Sequence, residues 1–182
     1  MSKIILGLAG EMASGKGTVA EYLKIKYSAS NYRFSTILRD VLMRLHLEQS
    51  RKNMQKTSTI LRKAFGDDLL AKVIAEDVKK DNSEIIVIDG VRRLDDIKYL
   101  RKNKEFRLVY IDTGIKKRYG RIINRSENTD DQNKTFEQFV EEHKGEPELQ
   151  IKGLKKYADI IIDNNGSKEE LYKQIDKIIE RY

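Results

Sequence analysis

The chain has no cysteine, one proline, two histidines and no long apolar run. Without cysteine there is no disulfide framework and no thiolate-held metal, and two histidines alone cannot assemble a zinc site. His46 and His143 are therefore expected to be ordinary surface groups. With Pro147 as the single proline, no proline-rich linker divides the chain, and no internal repeat is visible. Its 182 residues read as one domain, 1–182, long enough to bury a substantial core. No apolar stretch approaches the roughly 20 residues that span a bilayer. The apolar residues 4–10 are cut short by Glu11, which suits a buried strand better than a signal peptide. A soluble, cytoplasmic protein is the expectation. The net charge of +7 is compatible with nucleic-acid binding or with a site for polyanionic small molecules, and does not choose between them.

What is present is a glycine-framed loop, Gly10-Glu11-Met12-Ala13-Ser14-Gly15-Lys16-Gly17-Thr18, directly after the apolar run Ile4-Ile5-Leu6-Gly7-Leu8-Ala9. A G-x-x-x-x-G-K loop turns successive backbone N–H groups inward around phosphate oxygens, and its lysine adds a positive charge. The segment after it reads as a helix whose positive end faces the same anion. A hydroxyl usually follows the lysine directly, but here Gly17 holds that place and Thr18 comes next. Metal ligation by Thr18 is then direct or through water. Glu11 inside a phosphate cradle costs Coulomb energy unless a cation compensates it, so it is expected to point outward to solvent.

Hydrophobic periodicity predicts strands at 4–9, 32–34, 84–90, 107–112 and 159–163. Helices are predicted after the loop and at 36–47, 67–80, 94–103, 115–125, 134–145 and 167–181, with 50–63 partly helical. Ser35 or Thr36 is the expected cap of the second helix. The alternation implies a parallel five-stranded sheet with helices on both faces, and the loop makes the expected fold an α/β, three-layer P-loop NTPase fold, with a small helical insertion at 36–80 and the polar segment 126–134 as a short lid. Ligands of such sheets sit at the C-terminal strand ends, where Gly10, Asp89, Asp112 and Asn164 fall.

Asp89 ends an apolar strand as a magnesium-holding acid does. Arg92 follows it closely enough to grip a phosphate, while Arg93 is expected to face solvent. Arg118, Arg121 and Arg125 recur at helical spacing on one face, beside the polar lid segment, where closure would bring arginines onto a transferring phosphoryl group.

These segments, Gly-Lys-Gly-Thr, Ser35-Thr36-Ile37-Leu38-Arg39, Ile88-Asp89-Gly90-Val91-Arg92 and Arg121-Ile122-Ile123-Asn124-Arg125, occur in an order that resembles the nucleoside monophosphate kinases. The second is two residues shorter, and the third one residue shorter, than the matching adenylate kinase segments. The ending Ala158-Asp159-Ile160-Ile161-Ile162-Asp163-Asn164 and the compact lid look closer to archaeal adenylate-kinase-related and dephospho-CoA-kinase-like proteins. The resemblance implies ATP as donor with Mg²⁺, and a small phosphorylated acceptor such as a nucleoside monophosphate. It implies donor contacts from Gly10, Ala13, Ser14, Gly15, Lys16, Gly17, Thr18, Arg121 and Asn164, and acceptor contacts from Thr36, Arg39 and Arg92. Metal would be held by Asp89 and Thr18, and catalysis carried by Lys16, Arg92, Arg121 and Arg125. A dephospho-CoA kinase, a nucleic-acid-associated ATPase and a nucleotide-binding module without turnover remain alternatives.

Overall fold

The computed structural model describes residues 3–125, 135–143 and 145–182. Five strands, β1 (Ile4–Ala9), β2 (Ser30–Arg33), β3 (Ile85–Val91), β4 (Phe106–Asp112) and β5 (Ile160–Asp163), form one sheet in the order β2-β3-β1-β4-β5. Every pairing is parallel. Parallel strands need crossovers, which here are helical and bury both faces of the sheet. That is why β1 is buried along its whole length.

On one face, α1 (Lys16–Tyr27) and α9 (Lys168–Glu180) bring Val19, Leu23, Leu171 and Ile175 against Leu6, Leu8, Val87 and Val109. On the other, Ile74 and Val78 of α4 (Leu69–Lys80) and Ile97 of α5 (Leu94–Ile97) pack on Ile5, Ile86, Ile88, Leu108 and Tyr110. Two apolar layers separated by the sheet make the α/β three-layer architecture. Between β2 and β3 stand α2 (Phe34–Arg44), α3 (Arg51–Phe65) and α4, the expected helical insertion. No helix among the described residues is long and apolar enough to cross a membrane.

Several local expectations are corrected. The second strand is Ser30–Arg33, two residues early, because Ser30, Asn31, Tyr32 and Arg33 pair with Ile86, Val87, Ile88 and Asp89. Phe34 then opens α2, whose N-cap is Arg33 with no side-chain cap, so Ser35 and Thr36 do not cap it. The helix expected at 94–103 is α5 followed by a 3₁₀ turn, Leu100–Lys102. Asp96 explains its tight start, accepting from the amides of Arg92 (2.9 Å) and Arg93 (3.0 Å). The helix expected at 134–145 is α7 (Phe136–Glu142), with Thr135 as cap. An unforeseen helix, α8 (Glu146–Gly153), opens with a proline in its first turn and leads into a 3₁₀ turn, Leu154–Tyr157. Proline suits a helix start, whose amides lack intrahelical partners anyway. The expected lid, 126–134, lies outside the described residues.

Candidate functional site

β1 ends at Ala9 and the chain enters the glycine-framed loop at the C-terminal edge of the sheet. Gly10 has φ 149°, and a Cβ there would lie 2.6 Å from Ser14 Oγ and 2.7 Å from the Ile111 carbonyl. Gly15 has φ 103°, and its Cβ would lie 2.2 Å from Asn164 Nδ2. Both positions combine left-handed backbone with close packing, so only glycine fits. Gly15 is also the N-cap of α1 and brings no side chain to its first turn, leaving those amides to the loop interior.

The loop is held from behind. Thr113 Oγ1 and Asn164 Nδ2 donate to the Ser14 carbonyl at 2.9 and 2.7 Å. Arg121 donates through Nη1 to the Ala13 and Ser14 carbonyls, both at 3.2 Å, and through Nη2 to the Asn164 carbonyl at 3.0 Å. Arg118, 2% exposed, donates to the Thr113 carbonyl (3.1 Å), the Met12 carbonyl (3.3 Å) and Glu11 Oε1 (2.9 Å). In a trans peptide the C=O and the next N–H point in opposite directions. Drawing the carbonyls of Met12 and Ser14 outward therefore turns the Ala13 and Gly15 amides inward, as an anion cradle requires.

These contacts correct the reading of Glu11. It turns onto Arg118 rather than out to solvent, and Arg118 is the cation that compensates it. Arg118, expected only as one of three arginines on a helix face, thus braces the loop, a role whose one sequence signal is the need of an acid inside the loop for a cation. Arg121 and Asn164 stand on the donor side, supporting the loop. Arg125 ends α6 (Ile115–Arg125), and its side chain lies outside the described residues.

Lys16 folds onto its own loop, donating to the carbonyls of Gly10 (2.6 Å) and Glu11 (3.0 Å). Burial lowers its pKa to about 8, opposed by the carboxylates of Asp89 and Glu148 and assisted by Arg92 and Arg118. Four charged side chains therefore converge electrostatically on one ammonium. Glu148, from the unforeseen α8, had no sequence signal beyond its place in a polar segment. The Ser14 hydroxyl is buried without a hydrogen-bond partner among the described residues.

On the other flank, Asp89 Oδ2 pairs with Arg33 Nε at 3.0 Å. Beside it the β1–β3 register shifts, so that Leu8 faces Asp89 while Ala9 faces Val91. Arg92 is exposed. Arg93 departs from its solvent-facing expectation, lying half-buried with Nη2 at 3.6 Å from Asp96. Arg62 of α3 is near enough to Arg93 that burial, and then this second guanidinium, lower its pKa. Thr36 and Arg39 lie exposed on α2, with Arg39 Nη1 3.3 Å from Ser35 Oγ. Arg33, on Asp89, and Arg62, beside Arg93, are basic residues of this region that the sequence pattern does not mark.

No group of three or more His, Cys, Asp or Glu residues among those described forms a self-sufficient metal cage. Of the two expected magnesium ligands, Asp89 is paired with Arg33 and Thr18 lies in the first turn of α1. An open depression of about 570 Å³ lies beside Gly17 and Thr18, bordered by Tyr22, Lys168 and Tyr172. Another, of about 650 Å³, is lined by Glu11, Asp112, Arg118, His143 and Lys152. His143 is no ordinary surface group: its Nδ1 is 2.6 Å from the Phe139 carbonyl and its Nε2 is buried.

Comparison with known proteins agrees with this geometry. Residues 9–138 match the AAA domain family, a span that contains the whole loop and Asp89. The UPF0200 protein of Thermococcus kodakarensis is 30% identical over 185 residues, covering 99% of this chain and 97% of its own. That of Methanocaldococcus jannaschii is 29% identical over 181 residues, covering 97% and 89%. Among solved structures, TT1252 from Thermus thermophilus superposes with TM-score 0.67 at 15% identity, covering 100% of this chain and 98% of that one. Shikimate kinase from Bacteroides thetaiotaomicron does so with TM-score 0.59 at 14% identity, covering 97% of each. At such identities the structures establish a shared, P-loop kinase-like fold. The loop, the parallel sheet and these matches together place the chain in the AAA domain family of P-loop NTPases and among the UPF0200 proteins.

Proposed function

We propose that this protein is an ATP- and Mg²⁺-dependent kinase that transfers the γ-phosphoryl group to a small phosphorylated acceptor, with a nucleoside monophosphate as the leading candidate. The observation that carries the reading is the asymmetry around Lys16. A cradle braced by Arg118, Arg121 and Asn164 lies on one side. On the other, Arg33 pairs with Asp89 and Arg92 acts on Lys16, while Arg39 and Arg62 stand on α2 and α3 of the helical insertion. A hydrolase needs the first half, whereas a transferase to an anionic molecule needs both.

In this mechanism Lys16 exchanges the carbonyls of Gly10 and Glu11 for the donor phosphates, while the inward amides hold their oxygens. Asp89 and Thr18 would hold Mg²⁺, which neutralises charge on the phosphates. Arg39 and Arg92 bind the acceptor. Arg121 stiffens the cradle against recoil during transfer, and Arg125 is kept as an expected partner of the transferred phosphoryl group.

A second reading, transfer to a sugar hydroxyl as in dephospho-CoA kinase, is favoured by Glu148 near Lys16. Solved neighbours also include a shikimate kinase in complex with shikimate, TM-score 0.55 at 12% identity, itself a kinase of a small molecule. The experiment is ADP release from ATP with AMP, CMP, UMP, deoxynucleotides and dephospho-CoA as acceptors. Acceptor-dependent release by the wild type, lost in Lys16→Ala, is the expected result. Hydrolysis stimulated by RNA or DNA with no transfer would replace the kinase reading with a nucleic-acid-associated ATPase. ATP binding without turnover would leave a nucleotide-binding module.

A further inference from the structure

Three late helices carry an amide or carboxylate at the third helical position, and only two use it locally. Gln138 in α7 accepts from the Thr135 amide at 2.9 Å, and Glu170 in α9 accepts from the Ser167 amide at 2.7 Å, each closing a capping box. Glu148 holds the same place in α8, behind an N-cap glycine, and α8 has no side-chain cap hydrogen bond. Its Oε2 is buried and has no hydrogen-bond partner among the described residues. A buried carboxylate oxygen without a donor is costly, so its retention calls for a cause other than helix capping.

Its surroundings indicate that cause. Leu149 and Lys152 of the same helix line the depression that Glu11, Asp112 and Arg118 also border, beside the loop, and the carboxylate acts on Lys16 and on Tyr110. Tyr110 stands opposite Ala9 in the β1–β4 ladder, one residue before the loop. Glu148 therefore approaches the cradle from the β4 side of β1, while Asp89 approaches from β3 on the other. With ATP in the cradle, a second carboxylate beside Lys16 would repel the γ-phosphate unless a hydrogen-bond donor stood between them. The phosphate of a nucleoside monophosphate brings another anion and no such donor; an alcohol brings one. The chain from 126 to 180 contains no arginine, so that stretch adds no guanidinium for an incoming phosphate, whereas it offers Glu148.

We propose that Glu148 is a catalytic residue that accepts the proton of an acceptor hydroxyl, which makes a phosphorylated alcohol the substrate class. This rests on the phosphotransfer reading above and selects the oxygen attacked. The acceptor oxygen forms its bond to Pγ as the bond from Pγ to the β,γ-bridging oxygen breaks. The hydroxyl proton passes to Oε2 of Glu148, and ADP leaves with the electron pair. Protein kinases place a catalytic-loop aspartate for the same proton.

The test follows ADP release with dephospho-CoA, ribose 5-phosphate and glycerol 3-phosphate, with AMP, CMP and UMP, and with water alone as acceptor. Wild type, Glu148→Gln and Glu148→Asp are compared, with ATP binding and thermal unfolding as controls. The expected result is that the wild type takes an alcohol and Glu148→Gln lowers kcat for it by about 10²- to 10⁴-fold; transfer to none of the alcohols would overturn the substrate class. The KM for ATP does not rise and the melting temperature does not fall, and Glu148→Asp recovers part of the rate. Wild-type rates in Glu148→Gln, or phosphorylation of AMP, CMP or UMP by Glu148→Gln as fast as by wild type, would overturn the inference and leave the kinase reading standing. A wild type that binds ATP but neither transfers nor hydrolyses it would overturn both.

Discussion

The two flanks of Lys16 are built differently. On the flank proposed to hold the donor, Arg118 and Asn164 are 2% and 5% exposed, and with Arg121 they bond the carbonyls of Met12, Ala13 and Ser14. On the flank proposed to bind the acceptor, Arg39 and Arg92 are exposed and Arg39 bonds Ser35 of its own helix at 3.3 Å. An anion cradle gains from donors fixed in advance, because no reorganisation is then needed when charge develops. Arginines that admit and release a second substrate gain from freedom to move. One flank should therefore respond to mutation in stability, and the other mainly in binding.

The largest expected effect is on the braced flank. Arg118→Met leaves the Glu11 carboxylate unpaired in a mostly buried site and should lower unfolding free energy by about 3 kcal/mol. Urea denaturation of Arg118→Met and of the double variant with Glu11→Gln checks this, the double variant recovering most of the loss. Lys16→Ala should weaken ATP binding by about 2 to 3 kcal/mol, the worth of its charge-assisted contacts, in calorimetric titration. Within the same loop, Gly15→Ala forces a left-handed alanine onto Asn164 and should cost about 2 kcal/mol or more. Gly17→Ala, with open space around its Cβ, should leave stability unchanged or raise it by up to about 1 kcal/mol. Equal losses at Gly15 and Gly17 would erase the contrast between packed and open loop positions.

Smaller effects sharpen the comparison. Lys16, with its pKa lowered to about 8 by burial, is protonated below that pH and loses its charge above it. Bound phosphate favours the charged form, so ATP affinity should be flat below about pH 8 and fall by up to about tenfold per unit above it. Lys16→Ala should show no such slope, and proton uptake on binding near pH 8.5 would confirm the sign. The smallest stability effect is expected for Arg39→Ala, within about 0.5 kcal/mol. Its measurable consequence should be a raised KM for the acceptor at unchanged KM for ATP.

Much of the donor half was legible in the sequence. The apolar run, the loop and α1 are contiguous, and each signal is local: burial of a short strand, glycine at constrained backbone, and a lysine where phosphate is held. Asp89 and Arg92 could be placed near the loop because parallel strands bring their C-terminal ends together. Other features were not legible. The second strand was displaced because Phe34, apolar and β-prone, starts α2 instead. α8 was missed because only Ile151 of its described side chains is buried, too sparse for a periodic pattern.

By itself, then, the sequence determined the parallel α/β frame and the phosphate loop, since both depend on periodicity and spacing over a few residues. Tertiary structure decided what surrounds the lysine. Glu11 and Arg118 pair across 107 positions, Asp89 meets Arg33 across neighbouring strands, and Glu148 reaches the Lys16 site from a helix the pattern did not announce. Charges so distant along the chain share no local pattern. Their pairing follows from the topology that brings the strand ends together and from the cost of leaving a buried charge alone.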